Sequence, residues 1–155
     1  MKISHCRLFD IQTFMEQVFD KINTDNANII GLYFSGEYCK YCKEFTPILV
    51  DAYPSLLNNK IDIVYISSDK SIEQYNQYRG TQPWQSLPYE ETDLRNLLRT
   101  EFDIKTIPAL LFFDVKQKLL IEPNGRNLIR DDCDNAIKKL ITMTIAEYDS
   151  DDNDF

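Results

Sequence analysis

Residues 29–42 read Ile29-Ile30-Gly31-Leu32-Tyr33-Phe34-Ser35-Gly36-Glu37-Tyr38-Cys39-Lys40-Tyr41-Cys42. The apolar run at 29–34 predicts a buried strand, and the apolar spacing after Cys42 predicts that the two cysteines open a helix. With two residues between them, both sulfurs lie on one turn, where they can close a disulfide. The N–H groups of that turn also stabilise a thiolate at the first cysteine. Thiol–disulfide exchange is therefore the leading chemistry.

The composition indicates one packed domain whose partners are proteins. A chain of 155 residues is long enough for a substantial core, and a hydrophobic fraction of 43% is ordinary for a globular protein. The net charge of −8, from 25 acidic and 17 basic residues, argues against the basic face that nucleic acids and anionic membranes require. We therefore expect no nucleic-acid partner and no membrane partner.

Both ends of the chain are polar. Residues 1–10 contain no signal-peptide core, and no later run reaches membrane-spanning length. These features favour a cytoplasmic, reducing compartment, in which four cysteines do not form a structural disulfide framework. We expect a single domain over residues 1–147, followed at 148–155 by an acidic, disordered tail.

Periodicity along the chain predicts alternating strands and helices. Helices are expected at 11–22 with Asp10 as N-cap, from the cysteines to a stop at Pro54 with a kink at Pro47, at 71–79, around 94–102, and at 132–146. Strands are expected at 28–34, 61–66, 109–114 and 119–122, the last two as a hairpin at one sheet edge, and residues 82–88 as a loop. Parallel neighbours need crossover helices, so the order implies an α/β fold: a central mixed β-sheet flanked by α-helices, as in the thioredoxin fold.

Four segments carry a closer resemblance. They are Cys39-Lys40-Tyr41-Cys42-Lys43-Glu44-Phe45-Thr46-Pro47, Val64 to Ser71, Pro83-Trp84 with Leu87-Pro88-Tyr89, and Phe102 to Pro108. Together they resemble the tryparedoxin and nucleoredoxin branch of the thioredoxin-like superfamily over residues 28–133. The Cys-x-x-Cys motif alone is weakly diagnostic, whereas its combination in this order with Pro83-Trp84 and Ile107-Pro108 is specific.

The position of the cysteines and the resemblance together assign roles. Cys39 is nearest the helix N-terminus and is expected to attack the substrate disulfide, while Cys42 lies one turn deeper and is expected to resolve the mixed disulfide. The resemblance implies a cis bond before Pro108 and backbone hydrogen bonds from Ile107 to an extended substrate. It also implies that Tyr38 and Trp84 line an apolar rim around the dithiol. For Trp84, a place in the core is an equal alternative.

Departures from the family pattern bear on the redox potential. The family usually has Trp where Tyr38 stands and residues such as Pro-Pro where Lys40-Tyr41 stand. Lys40 either lowers the pKa of the Cys39 thiol, making the disulfide more oxidising, or is a solvated surface charge. Most thioredoxins carry a buried acid where Tyr33 stands, so proton transfer would fall to water or to Glu44.

The remaining candidates are weaker. Cys6 and Cys133 are most simply unpaired thiols, with a regulatory disulfide as the alternative. His5 and Cys6 could join Cys39 and Cys42 in a zinc site, but a structural site normally uses two close-spaced ligand pairs and only one is present, so we expect no metal.

The sequence therefore predicts a protein-disulfide reductase that acts through Cys39 and Cys42 and contributes to cell redox homeostasis. No dinucleotide fingerprint is present, so we expect no cofactor in the chain itself. Electrons would come from an upstream reductase or a low-molecular-weight thiol and pass to disulfide-bearing proteins such as peroxidases. The alternatives are a redox-sensing interaction module with little turnover, and a disulfide isomerase or oxidant.

Overall fold

The computed structural model describes the backbone of residues 5–152 and the side chains of residues 11–144. The strands in this part of the chain are β1 (Ile29–Ser35), β2 (Ile61–Ser67), β3 (Gln85–Ser86), β4 (Ala109–Asp114) and β5 (Leu119–Glu122). The helices are α1 (His5–Asp20), α2 (Lys40–Asn58), α3 (Ile72–Arg79), α4 (Thr92–Glu101), α5 (Gly125–Asp131) and α6 (Cys133–Asp152). Within that same part, no helix has the combination of length and apolar character that crossing a bilayer requires.

The strands form one mixed sheet in the order β3-β2-β1-β4-β5. The β1–β2 and β2–β3 pairs are parallel, whereas β1–β4 and β4–β5 are antiparallel. The predicted hairpin therefore lies at one edge with the predicted bounds. Because β1 is central and α2 follows it directly, the start of α2 stands at the carboxyl end of the parallel strands, where α/β folds place their sites.

Alternation along the strands divides the core between the two faces of the sheet. On one face α2, α3, α5 and α6 pack against side chains such as Tyr33, Tyr65 and Phe112, all fully buried. On the other, α1 and α4 pack against residues such as Phe34 and Phe113. The predicted arrangement of a mixed sheet with helices on both faces is confirmed.

The predicted end of α2 near Tyr53 is wrong. The helix passes both prolines and continues to Asn58. Pro54 has no N–H to donate one turn back, which weakens the helix locally. The helix nevertheless continues because Leu49 and Leu56, on either side of Pro54, are both fully buried in the core.

The terminal helices are longer than the sequence pattern predicted. Helix α1 begins at His5 rather than at residue 11, so Asp10 lies inside it and is not its N-cap. In the sequence, Leu8 extends the apolar spacing of Ile11 and Met15 by one turn, which accounts for the earlier start. Helix α6 runs to Asp152, so residues 148–152, predicted to be disordered, continue a helix that is anchored in the core at Leu140. Residues 153–155 lie outside the described part of the chain.

Two short elements escaped sequence reasoning. Strand β3 is two residues long and pairs with Val64 and Tyr65 of β2. Helix α5 has seven residues, with Ile129 as its buried apolar side chain. Neither is long enough to show a period. By contrast, α3 was predicted within one residue, and Ser71 caps it by accepting a hydrogen bond from the N–H of Gln74.

Candidate active site

Cys39 is the N-cap of α2 and is partly exposed. Its Sγ accepts a hydrogen bond from the N–H of Cys42 at 3.2 Å, which is the contact that a helix start offers to a cap. Both cysteines are free thiols, so the structure represents the reduced dithiol. A thiolate at this position is stabilised by the same N–H and by the positive end of the helix dipole.

Cys42 is fully buried one turn further along α2. Burial, and then its hydrogen bond with Cys39, raises the pKa of the Cys42 thiol to about 12. The Ser35 hydroxyl and the Gly36 N–H also hydrogen-bond to this thiol and act in the opposite direction. Cys42 therefore stays protonated at neutral pH until something removes its proton.

The loop before β4 faces the dithiol. The bond between Ile107 and Pro108 is cis, as the family resemblance implied. The Cys39 thiol donates to the carbonyl oxygen of Ile107 at an Sγ–O distance of 3.7 Å. Pro108 is buried, and its own carbonyl accepts a hydrogen bond from the Arg126 guanidinium at 3.1 Å. The loop that carries Ile107 therefore faces the Cys39 sulfur, as the family resemblance implied.

Tyr38 lies at the surface beside this loop, with 47% of its area exposed. Together with Ile107 it lines a cavity of about 240 Å³ whose charged lining residues are Arg99 and Lys105. The Lys70 ammonium stands over the Tyr38 ring, 4.9 Å from its centroid. A protein of net charge −8 therefore presents cations on this side of Cys39.

Trp84 does not line the rim of the dithiol. It is only 4% exposed, and its indole N–H donates to the Gln82 side chain at 2.8 Å. Its ring packs edge-on against Tyr53 and Tyr33, with centroid distances of 5.2 and 6.1 Å. The rim position predicted for Trp84 is therefore wrong, and the core alternative describes it, because its ring is buried against Tyr53 of α2 and Tyr33 of β1.

Lys40 and Glu44 are both exposed on α2. Lys40 is the first helical residue and follows Cys39 directly. Glu44 lines a separate cavity of about 410 Å³ together with Arg126, Arg130 and Pro108. The structure thus places Lys40 next to the predicted nucleophile and Glu44 on the side of α2 that faces α5.

Several supporting residues were not predicted. Buried Asp69 accepts the N–H of Glu37 at 2.6 Å and the Ser67 hydroxyl at 2.7 Å, which ties the turn before Cys39 to the loop after β2. Behind Cys42, hydroxyl groups of Ser35, Tyr78, Thr46 and Tyr33 are hydrogen-bonded in series. Except for the Ser67–Asp69 bond, these contacts join residues at least 13 positions apart in the chain, and no local pattern signals them.

Of the other two cysteines, only Cys133 has a described side chain. Cys133 begins α6, is partly buried, and packs against the core; burial raises the pKa of its thiol. The side chains of Cys6 and His5 lie outside the described residues. The zinc site that would include them, and the role of Cys6, therefore lie outside the described residues as well. Among the side chains of residues 11–144, no group of three or more potential metal ligands is found.

Comparisons with known proteins agree with this geometry. A family model described as thioredoxin-like matches residues 26–119. A nucleoredoxin of Arabidopsis thaliana is 36% identical over 129 residues, which is 82% of this chain and 22% of the relative. The tryparedoxin of Trypanosoma brucei brucei is 29% identical over 108 residues, covering 69% of this chain and 75% of that protein.

The fold is likewise shared with solved structures. Tryparedoxin II, solved in complex with glutathionylspermidine, superposes with a TM-score of 0.66 at 31% identity and covers 68% of this chain and 75% of that one. The chain thus has the thioredoxin fold that the sequence predicted. It spans only 22% to 28% of the length of the nucleoredoxins it matches.

Proposed function

The chain belongs to the thioredoxin-like family, in its tryparedoxin and nucleoredoxin branch, and from this we propose that it reduces protein disulfides through Cys39 and Cys42. One observation carries the proposal. A partly exposed cysteine caps α2, its sulfur accepts an N–H from the helix, and a second, buried thiol lies one turn below. Such an arrangement suits a nucleophile and a resolving thiol.

The reaction proceeds in two exchanges. The Cys39 thiolate attacks one sulfur of the substrate disulfide, forms a mixed disulfide and releases the first substrate thiolate. The Cys42 sulfur then attacks Cys39, releases the second substrate thiolate and leaves a Cys39–Cys42 disulfide. Two electrons pass from the dithiol to the substrate, and an external thiol or reductase returns the chain to its reduced form.

Substrate is proposed to lie across the Ile107–Pro108 loop beside Tyr38. The Ile107 backbone would pair with an extended segment of the substrate, since its carbonyl already faces the Cys39 sulfur. Lys40 is proposed to favour the Cys39 thiolate, and Glu44 to offer a solvent-side proton acceptor. Because both are exposed, screening keeps their contributions small.

The wider context of the reaction is also a proposal. One domain at residues 1–147 would work in the cytoplasm, in cell redox homeostasis and electron transport. Disulfide-bearing proteins such as peroxidases would be its substrates. Its electrons would come from an upstream reductase or a small thiol; a solved tryparedoxin II holds glutathionylspermidine, a thiol of that class.

Substitution of each cysteine tests the mechanism. Cys39→Ser should abolish disulfide reduction, because no nucleophile remains, while Cys42→Ser should accumulate mixed disulfides with substrate that are visible by mass spectrometry. Cys133→Ser is the matched control and should reduce insulin as fast as the unaltered chain. Undiminished insulin reduction by Cys39→Ser would refute the mechanism. Tight, redox-dependent partner capture with negligible turnover would instead favour a sensing module.

A further inference from the structure

A chain of buried hydroxyl groups begins at the resolving thiol. The Ser35 hydroxyl contacts the Cys42 sulfur and donates to the Tyr78 hydroxyl at 3.2 Å. Tyr78 in turn shares a short hydrogen bond with the Thr46 hydroxyl. Ser35 is fully buried, and Tyr78 and Thr46 are each only 4% exposed. Three side chains from β1, α3 and α2 thus form one continuous path away from Cys42.

The far end of this path meets a cavity. Tyr78 and Thr46 both line a cavity of about 510 Å³ between α2 and α3, together with charged residues that include Glu37 and Asp51. A water molecule needs only about 30 Å³ and a few polar partners, so this polar-rimmed space can be hydrated. The hydroxyl path therefore connects the buried thiol with solvent on the side of α2 away from the Ile107–Pro108 loop.

The Cys42 thiol needs such a path. Its hydrogen-bonding neighbours are Cys39, Ser35 and Gly36, none of which is a carboxylate. Tyr33 belongs to the same hydroxyl cluster, and burial raises the pKa of its hydroxyl far above neutrality, so it accepts no proton as a tyrosinate. A buried thiol is a poor nucleophile until its proton leaves.

We propose that Ser35, Tyr78 and Thr46 form a proton relay that carries the Cys42 proton to water in the cavity during resolution. Building on the proposed function, the step begins with the mixed disulfide on Cys39. The Cys42 thiol passes its proton to Ser35 Oγ, Ser35 passes one to Tyr78 Oη, Tyr78 to Thr46 Oγ1, and Thr46 to water. The Cys42 electron pair forms the new bond to Cys39, and the bond to the substrate sulfur breaks, releasing a thiolate that solvent protonates.

The roles within the relay differ. Ser35 contacts a reacting sulfur and is a catalytic residue, whereas Tyr78 and Thr46 act through it as positioning residues. Tyr33 contacts both Ser35 and, at 2.7 Å, Thr46, but the Ser35 hydroxyl donates its hydrogen to Tyr78, so the path runs through Tyr78. The relay predicts that Tyr78 matters for the second exchange and not for the first.

Stopped-flow reaction of the aromatic disulfide DTNB with the reduced chain, carrying Cys6→Ser and Cys133→Ser in every variant, separates the two exchanges, since each releases one coloured thiolate and no other thiol remains. Tyr78→Phe removes the middle hydroxyl and keeps the ring. The second phase should slow by about tenfold near neutral pH, at the low end of general acid–base contributions, while the first phase is unchanged. The second phase should also become more steeply dependent on pH, because hydroxide must then take the proton directly. A merely structural role of Tyr78 would not change this pH profile.

Tyr75→Phe is the matched control. Tyr75 lies one turn earlier on α3, is 7% exposed, and its hydroxyl bonds to Ser86 at 2.6 Å, away from the relay. Both phases should be those of the unaltered chain. Two substitutions at Thr46 repeat the test without changing an aromatic ring. Thr46→Val removes the hydroxyl and should slow the second phase, whereas Thr46→Ser keeps the hydroxyl and should react at the rate of the unaltered chain.

Three results would overturn the relay. They are an unaltered second phase and pH profile in Tyr78→Phe or in Thr46→Val, an equal loss in both phases, and equal slowing by Tyr75→Phe. If the unaltered chain released no thiolate in the first phase, Cys39 would not be the nucleophile, and the proposed function would fall together with the relay. A normal first phase with an unaffected second phase would leave the proposed function standing and remove the relay alone.

Discussion

Cys39 and Cys42 are three residues apart, yet their surroundings give them opposite properties. The Cys39 sulfur is partly exposed and accepts an N–H, whereas Cys42 is fully buried and its pKa is raised to about 12. An incoming substrate can therefore reach only the first sulfur. Once the mixed disulfide has formed, the second sulfur lies within the same turn, and proximity accelerates its attack as soon as its proton has left.

The two aromatic residues assigned to the rim should respond differently to substitution. Trp84→Phe should lower the free energy of unfolding by about 1–3 kcal/mol, because the smaller ring leaves a gap beside Tyr53 and removes the donor to the buried Gln82 amide oxygen. Tyr38→Ala should change stability by less than about 0.5 kcal/mol and slow protein-disulfide reduction. Urea unfolding and insulin reduction measure both effects. A slowed reaction with unchanged stability in Trp84→Phe would return Trp84 to the rim.

The cavity beside Tyr38 predicts a preference among substrates. Arg99 and Lys105 line it, so a carboxylate near the substrate disulfide should be favoured over an amide, by an amount typical of exposed ion pairs, about 0.2–1 kcal/mol or up to roughly fivefold in kcat/KM. Two peptide disulfides that differ only by Asp or Asn beside the cysteine measure this ratio. Lys105→Gln should reduce it, and added salt should do the same.

Lys138 on α6 provides the control for this prediction, since it is exposed and does not line that cavity. Lys138→Gln should leave the ratio of the two peptides unchanged. Equal rates for the two peptides with the unaltered chain at low salt would show that the cations beside Tyr38 do not select substrates.

At the scale of the elements, the close approach of β1 to β4 depends on a glycine. A Cβ at Gly31 would lie 2.8 Å from the Phe112 ring and 2.9 Å from Ile63, and both neighbours are fully buried. Gly31→Ala should therefore force the core to shift and lower the free energy of unfolding by about 1–3 kcal/mol. Urea unfolding followed by circular dichroism measures this change.

Gly80 at the end of α3 is the comparison. A Cβ there meets nothing closer than 3.5 Å, and its φ of −62° suits any residue, so Gly80→Ala should leave stability equal or slightly higher. If Gly31→Ala were as harmless as Gly80→Ala, the packing of β1 against β4 would be looser than the contacts at Gly31 require.

An element could be predicted from the sequence where its local signals and its burial in the folded chain favour the same structure. Strands β4 and β5 were predicted with their bounds because apolar runs are flanked by Pro108 and a polar turn. For α2, the local preference of Pro54 predicts an end near Tyr53, whereas burial of Leu56 beyond it keeps the chain helical to Asn58. Tertiary packing decided that case, and a single sequence does not display it.

The site divides in the same way. The dithiol and the Ile107–Pro108 loop are carried by short motifs, so the sequence contained them. The hydroxyl path brings together residues from three elements, Ser35, Thr46 and Tyr78, which pairwise hydrogen bonds join only after folding. The direction of the Trp84 side chain, toward the core or toward solvent, likewise depends on the pairing of β3 with β2, which the local sequence does not show.

For the whole molecule, the buried thiol and phenol groups make stability dependent on alkaline pH. In the folded chain the pKa of Cys42 is raised from its ordinary 9.0 to about 12, and burial raises the pKa values of Tyr33 and Tyr65 above their ordinary 10.0. The unfolded chain loses these protons at the ordinary values while the folded chain retains them. Stability from these groups is therefore complete below about pH 9 and is lost as the pH rises above it, by up to about 1.4 kcal/mol per pH unit for each group.

The redox state should change this dependence in a defined window. In the oxidised chain Cys42 is in a disulfide and has no proton to lose, so between about pH 9 and 12 the reduced chain should lose stability more steeply than the oxidised one. Above about pH 10 the tyrosines, which are common to both forms, add an equal loss to each, and the difference between the two slopes persists. Urea unfolding across this range, compared as slopes, separates the thiol contribution from the entropic effect of the crosslink on the unfolded chain. The reduced Cys42→Ser variant should follow the oxidised slope. Identical slopes for the reduced and oxidised chains in that window would mean that the Cys42 thiol is less isolated from water than its burial implies.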